Sequence, residues 1–72
     1  MKFQVLFVYD SEYAGYVAEV PELPGCMSQG QTIEEAAENI REAIDGYLQV
    51  LEKHGTPYQP SAKPTFIAEI AV

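Results

Sequence analysis

Residues 32–55, TIEEAAENIREAIDGYLQVLEKHG, decide the fold because they carry the clearest helix signal in the chain. Their apolar positions recur every three or four residues, as expected for a helix with one buried face. Thr32 and Glu35 form a capping box, in which the Thr32 hydroxyl accepts the Glu35 amide and the Glu35 carboxylate accepts the Thr32 amide. Gly55 fits the left-handed position that ends a helix. The pattern predicts one helix over about residues 33–54.

Three short strands are predicted before this helix. Residues 3–9, FQVLFVY, are rich in β-branched and aromatic side chains, and both faces of this segment are largely apolar. The turn residues 10–15 lead into an alternating segment, residues 16–20, which predicts a hairpin. Pro24 and Gly25 fit the two middle positions of a type II turn. A third strand is predicted over residues 26–29.

A fourth strand is predicted after the helix, over residues 65–72, where apolar positions alternate. The predicted order is therefore β-β-β-α-β, an α+β fold. A right-handed crossover would place the last strand beside the first, giving a four-stranded sheet of order 3-2-1-4 with one helix on one face. The first strand would then be central, which agrees with its two apolar faces.

One helix covers only one face of such a sheet. On the other face the alternation places Leu6, Val8, Val17 and Ile67. An exposed apolar patch of this kind usually marks an interface. We expect self-association, or capture by a partner, through these four residues.

Length and charge restrict the class of protein. The 72 residues form one domain, residues 1–72, with 4 basic and 11 acidic side chains and a formal charge of -7. Non-specific nucleic-acid binding depends on clustered Lys and Arg, so direct binding to nucleic acid is not expected. A lone cysteine excludes an internal disulfide, and neither a signal peptide nor a membrane-spanning run is visible. The expected location is the cytoplasm.

A group of acidic residues lies on the predicted outer face of the helix. Glu38, Glu42 and Asp45 fall at three- and four-residue spacing, where like charges repel one another. They form either an ordinary solvated face or a docking stripe for a basic protein. Tyr13 and Tyr58, both in predicted loops, are candidate anchors for the same partner.

Catalysis by carboxylates is an alternative function for so acidic a chain. A metal-dependent nuclease of the ribonuclease H type needs an acid midway along its central strand, but residues 5–7 are Val, Leu and Phe. A non-standard metal site would have to use Asp10, Glu12 and Glu19. The preferred interpretation is a protein that is not an enzyme and that binds no metal and no cofactor.

Two segments resemble a known family. The runs YVAEVPELPGC, residues 16–26, and SQGQTIEEA, residues 28–36, are similar to the HicB family of antitoxins, and the resemblance covers nearly the whole chain. It implies a partial ribonuclease H-like fold of β-β-β-α-β order that lacks the catalytic acids of that fold.

The resemblance also implies a partner. HicB proteins bind and block HicA, a small toxin that has a double-stranded-RNA-binding fold and cleaves messenger RNA, and many HicB proteins are oligomeric. Many also continue into a DNA-binding segment, whereas this chain stops at Val72, so operator binding is not expected of it. A stand-alone oligomeric scaffold without a toxin remains the alternative.

Overall fold

A computed structural model describes residues 1–60 and 67–72. The described chain contains three strands followed by one helix, and the strands form a sheet of order β1-β2-β3 with both pairs antiparallel. The elements are β1 (Leu6–Asp10), β2 (Gly15–Glu19), β3 (Met27–Gly30) and α1 (Ile33–Lys53).

The predicted four-stranded sheet of order 3-2-1-4 is wrong. Residues 67–72 form no strand and are all exposed, while residues 65 and 66 of the predicted fourth strand lie outside the described residues. Alternating apolar residues favour an extended chain, but a strand also needs a neighbouring backbone to pair with. In the three-stranded sheet, β1 is an edge strand and not the central one.

The first strand is also shorter than predicted, because its partner ends early. Pairing of β1 with β2 stops at Leu6 opposite Glu19. Before that point, the amide of Gln4 donates to the Glu22 carboxylate, at 3.0 Å, from the loop that follows β2. The Glu22 side chain thus contributes to holding the segment before Leu6.

The core lies between the sheet and α1. The turn after β2 contributes to it through three backbone hydrogen bonds that link Val20, Leu23 and Cys26, with N to O distances of 2.9 to 3.1 Å. Gly25 has a φ of 80°, which confirms the predicted Pro24-Gly25 turn. The buried apolar side chains are Ala18, Val20, Leu23, Cys26, Ala36 and Ile40.

The ends of the helix largely confirm the prediction. Thr32 is the N-cap, and its hydroxyl accepts the Glu35 amide at 3.1 Å. The Glu35 carboxylate, however, accepts the amide of Gln31, at 3.4 Å, and not that of Thr32. The helix ends at Lys53, one residue earlier than expected, and Gly55 follows with a φ of 73°. One half of the predicted capping box is therefore present.

Two glycines allow the helix to begin directly on the sheet. A Cβ atom at Gly30 would lie 2.7 Å from the backbone carbon of Glu35 and 2.9 Å from Cα of Ala36. At Gly15, a Cβ atom would lie 2.6 Å from the carbonyl oxygen of Gly30. Distances this short leave no room for any side chain, so the first turn of α1 packs against bare strand backbone.

Two side chains on the helix fix its position against the rest of the chain. Asn39 donates from Nδ2 to the carbonyl of Gln29 in β3, at 2.8 Å. Further along, the Tyr47 hydroxyl donates to the carbonyl of Pro24, at 2.9 Å. Because one bond reaches the edge strand and the other the turn before it, α1 is held at two separate points.

Candidate partner-binding surface

The three helix acids share the solvent-facing side of α1. Glu38, Glu42 and Asp45 are all exposed, whereas Ala36 and Ile40 on the opposite side are buried. At 3.6 residues per turn, spacings of four and three place the three acids in one narrow arc. None of them forms an ion pair with another described residue. We call Glu38, Glu42 and Asp45 the acidic face.

The two loop tyrosines lie at opposite ends of the helix. Tyr13 is half-buried in the hairpin, where its ring lies 2.8 Å from the position of a Cβ atom built on Gly15, near the start of α1. Tyr58 lines a hollow of about 270 Å³ that Asp45 and Glu52 also line. The structure therefore brings Tyr58, but not Tyr13, to the same hollow as a residue of the acidic face.

Tyr58, in the chain after α1, is half-buried against the N-terminal segment that precedes β1. Its ring contacts that of Phe3 with 5.2 Å between centroids, and its hydroxyl donates to Glu22 Oε2 at 3.4 Å. Loss of water around the phenol, and then the negative charge and hydrogen bond of Glu22, raise the pKa of Tyr58 above its ordinary value. Tyr58 thus has a structural role, because it joins the N-terminal segment to the chain after α1.

The raised pKa of Tyr58 predicts a loss of stability at high pH. The folded chain holds the phenolic proton more tightly than the unfolded chain, so this contribution is complete below pH 10 and is lost as the pH rises through the folded pKa. We expect the difference in urea midpoint between the wild type and Tyr58→Phe to shrink between about pH 8 and about pH 11. Tyr13→Phe is the matched control, since it makes the same change in the hairpin. An unchanged difference at Tyr58 would contradict the prediction.

The uncovered face of the sheet is apolar in part. Leu6 and Val8 are 39% and 53% exposed, and Val17 is directly opposite Val8 in the neighbouring strand. Met27, which sequence reasoning did not include, lies on the same face because it pairs with Glu19, and it is 53% exposed. Ile67 is exposed but lies in no strand, so the structure brings together three of the four residues predicted for this face.

The carboxylates of the alternative metal site are far apart. Asp10 accepts the amides of Glu12 and Tyr13 at 2.9 and 3.2 Å, which makes it a turn-forming residue. Glu19 pairs with Leu6, at the other end of β1 from Asp10, and four residues of strand span about 13 Å. Within residues 1–60 and 67–72, no three His, Cys, Asp or Glu side chains are grouped closely enough to hold a metal ion.

Cys26 is a core residue that lies immediately before β3. It is 3% exposed, and burial raises the pKa of its thiol. A thiol that stays protonated is a poor nucleophile. In the part of the chain that the structure describes, no helix is both long and apolar enough to cross a bilayer.

Comparison with known families decides what kind of protein this is. The sequence model of a family described as the HicB-like antitoxin of bacterial toxin-antitoxin systems matches residues 3–71. The chain belongs to the HicB-like antitoxin family. That match includes both runs of sequence that suggested the resemblance, and it supports an antitoxin role in general.

Relatives of this HicB-like chain occur in both archaea and bacteria. It is 48% identical over 54 residues to a UPF0150 protein of Thermoplasma acidophilum, covering 75% of this chain and 77% of the relative. It is 45% identical over 65 residues to a UPF0150 protein of Helicobacter pylori, covering 90% and 89%. No solved structure gives a significant match.

Proposed function

We propose that this HicB-like antitoxin neutralises a HicA-type toxin, a small basic ribonuclease that cleaves messenger RNA, by covering the toxin's RNA-binding surface. The observation that carries the proposal is the acidic face, three exposed carboxylates without an ion-pair partner among the described residues, on a chain with a charge of -7. A surface that binds RNA must attract phosphates, so it is basic and complementary to these carboxylates. In this proposal, the chain is not an enzyme and acts in the cytoplasm without contacting nucleic acid.

Blocking a ribonuclease requires no chemistry from the antitoxin. A binding partner that occupies the basic surface excludes RNA by mass action, in proportion to its concentration relative to its dissociation constant. Opposite charges also speed the encounter of the two proteins and make it sensitive to salt. The arrangement therefore supports inhibition by occlusion, with carboxylates standing where the phosphates of RNA would lie.

Charge reversal of the acidic face tests this proposal. We expect the triple variant Glu38→Lys, Glu42→Lys and Asp45→Lys to bind a HicA-type toxin on the order of 100-fold more weakly at low salt, because three attractions become repulsions. The measurement is calorimetry of the purified pair, together with toxin cleavage of RNA in the presence of each variant. The difference should shrink as the salt concentration rises.

A second triple variant provides the control. Glu12, Glu19 and Glu69 are exposed and lie outside the acidic face, and their replacement by Lys gives the same change in net charge. Equal weakening by both triples would show that only total charge matters and would remove the acidic face from the interface. Absence of any complex between the wild type and a HicA-type toxin would overturn the proposed function itself.

We also propose that the uncovered sheet face mediates self-association, which is what a stand-alone scaffold would require. Leu6 and Val8 are exposed on this face, and burying apolar area stabilises a small domain that has a limited core. Light scattering of the isolated chain gives its mass directly. A single-chain mass at dilute and at high concentration would contradict self-association and leave toxin binding as the remaining role.

A further inference from the structure

Gly46 is a glycine in the middle of α1 that the packing of the described residues does not explain. A glycine inside a helix costs about 1 kcal/mol relative to alanine. Unlike Gly15 and Gly30, Gly46 has no described atom outside its own stretch of helix within 4 Å of the position that a Cβ atom would take. In the part of the chain that the structure describes, the space above Gly46 is therefore open, and an approaching molecule would meet bare helix backbone there.

This open space belongs to an apolar groove between the second half of α1 and the start of β3. The groove has a volume of about 440 Å³. Met27 on one wall and Val50 on the other are each 53% exposed. Tyr47 also lines the groove, and its hydroxyl already donates to the Pro24 carbonyl. The residues that line the groove beside Gly46 are Cys26, Met27, Ala43, Gly46, Val50 and Leu51.

The character of the groove favours an apolar side chain as its occupant. Sites for small polar ligands present a few convergent polar groups that fix the ligand's orientation. This groove offers such a ligand one hydroxyl, and that hydroxyl is already engaged. Interface hot spots, by contrast, are pockets in which one large side chain of a partner is fully desolvated.

The charges around the groove favour a basic partner over a second copy of this chain. Glu42 lies one helical turn before Gly46, on the same side of α1, and is exposed. Lys53 is the basic residue of the last turn of α1. A second copy would bring a further charge of -7 toward Glu42 and a chain that is itself acidic, whereas a basic protein would be attracted.

We propose that the groove beside Gly46 receives an apolar anchor side chain, flanked by Lys or Arg, from a basic protein partner. The inference rests on the proposed function, because the basic partner is the toxin. It adds the site on this chain at which an apolar side chain of the toxin is bound. The acidic face attracts the partner over a distance, and the groove fixes its position after contact. Gly46 keeps the groove deep enough for the anchor to reach the helix backbone.

Filling the groove tests the inference without changing charge. We expect Gly46→Leu to weaken the complex with a HicA-type toxin by about tenfold or more, as for a blocked hot-spot pocket. Ala37→Leu adds a leucine side chain at an exposed position of α1 outside both the groove and the acidic face, and it should change the affinity by less than about twofold. Circular dichroism of both variants checks that the helix is intact. Wild-type affinity in Gly46→Leu would overturn the groove and leave the proposed function standing.

A peptide experiment keeps the inference testable if no toxin binds. The probe is a synthetic peptide of one Phe between two pairs of Lys, and its control has Ser in place of Phe. We expect the Phe peptide, but not the Ser peptide, to shift the amide resonances of Met27, Gly46 and Val50, and Gly46→Leu to abolish the shifts. Shifts confined to the acidic face with both peptides, or no shift with either, would overturn the proposed groove.

Discussion

A Gly30→Ala chain is expected to lose most of its folded population. The added Cβ atom would lie 2.7 Å from the backbone carbon of Glu35 and 2.9 Å from Cα of Ala36, and it would also overlap the Ala36 amide. These are backbone atoms in the first turn of α1, so no side-chain rotation relieves the overlap. Moving the helix away would uncover Ala36, which is completely buried. We expect a loss of about 3 kcal/mol or more, a large part of the stability of so small a domain.

Gly46→Ala is the matched control for Gly30→Ala. It makes the same chemical change at a helical position where the new Cβ atom meets no described atom outside its own stretch of helix within 4 Å. We expect it to stabilise the isolated chain by about 0.5 to 1 kcal/mol, because alanine lowers the entropy of the unfolded helix segment. Urea unfolding followed by circular dichroism measures both variants. A Gly30→Ala midpoint equal to that of the wild type would show that the start of α1 is not in close contact with β3.

A Leu23→Ala chain is expected to lose about 2 to 5 kcal/mol of unfolding free energy. Leu23 is 1% exposed and is among the largest fully buried side chains of the described chain. Its backbone amide and carbonyl form the turn between Val20 and Cys26, and alanine keeps both groups. The expected loss therefore comes from the cavity left in the core and not from a broken turn.

Val50→Ala is the control for Leu23→Ala, because it also removes apolar atoms, but from a side chain that is 53% exposed, and it leaves no buried cavity. A surface change of this kind is expected to stay within about 0.5 kcal/mol of the wild type. Thermal unfolding followed by circular dichroism is suitable for both variants. If Leu23→Ala unfolds at the wild-type temperature, the loop after β2 does not close the core as the structure describes.

Local signals in the sequence predicted the local structure well. Thr32 as N-cap, the glycine after the helix and the Pro24-Gly25 turn are all confirmed, because each depends on residues within a few positions of one another. The Glu35 carboxylate was assigned to the wrong amide. Gln31 and Thr32 are adjacent in sequence, and the side-chain conformation that chooses between their amides is not encoded in the spacing.

Long-range pairing was predicted less well. Alternation in residues 65–72 resembled that of a strand, yet residues 67–72 are exposed and unpaired with the sheet. Two apolar faces were interpreted as the mark of a central strand, but β1 lies at an edge and leaves Leu6 and Val8 exposed. Period-two alternation describes a single segment, whereas the position of a strand in a sheet depends on contacts between segments that are far apart in sequence.

For the candidate site, too, local features were predicted from the sequence and long-range contacts were not. Helical spacing alone was enough to place Glu38, Glu42 and Asp45 on one exposed side of α1. The groove was missed because Met27 and Val50 come together only after β3 packs against the helix. One signal could have indicated it: Gly46 interrupts a strong helical pattern without ending the helix, and such a glycine calls for an explanation by packing or function.

The hydrogen bond between Asn39 and Gln29 has a consequence for solubility. Edge strands expose backbone amides and carbonyls on which the strands of other molecules can assemble into aggregates. β3 is an edge strand of four residues, and the Asn39 side chain occupies one of its carbonyl groups from the helix. The bond that positions α1 therefore also shields one margin of the sheet, so the helix protects the protein against uncontrolled polymerisation along that margin.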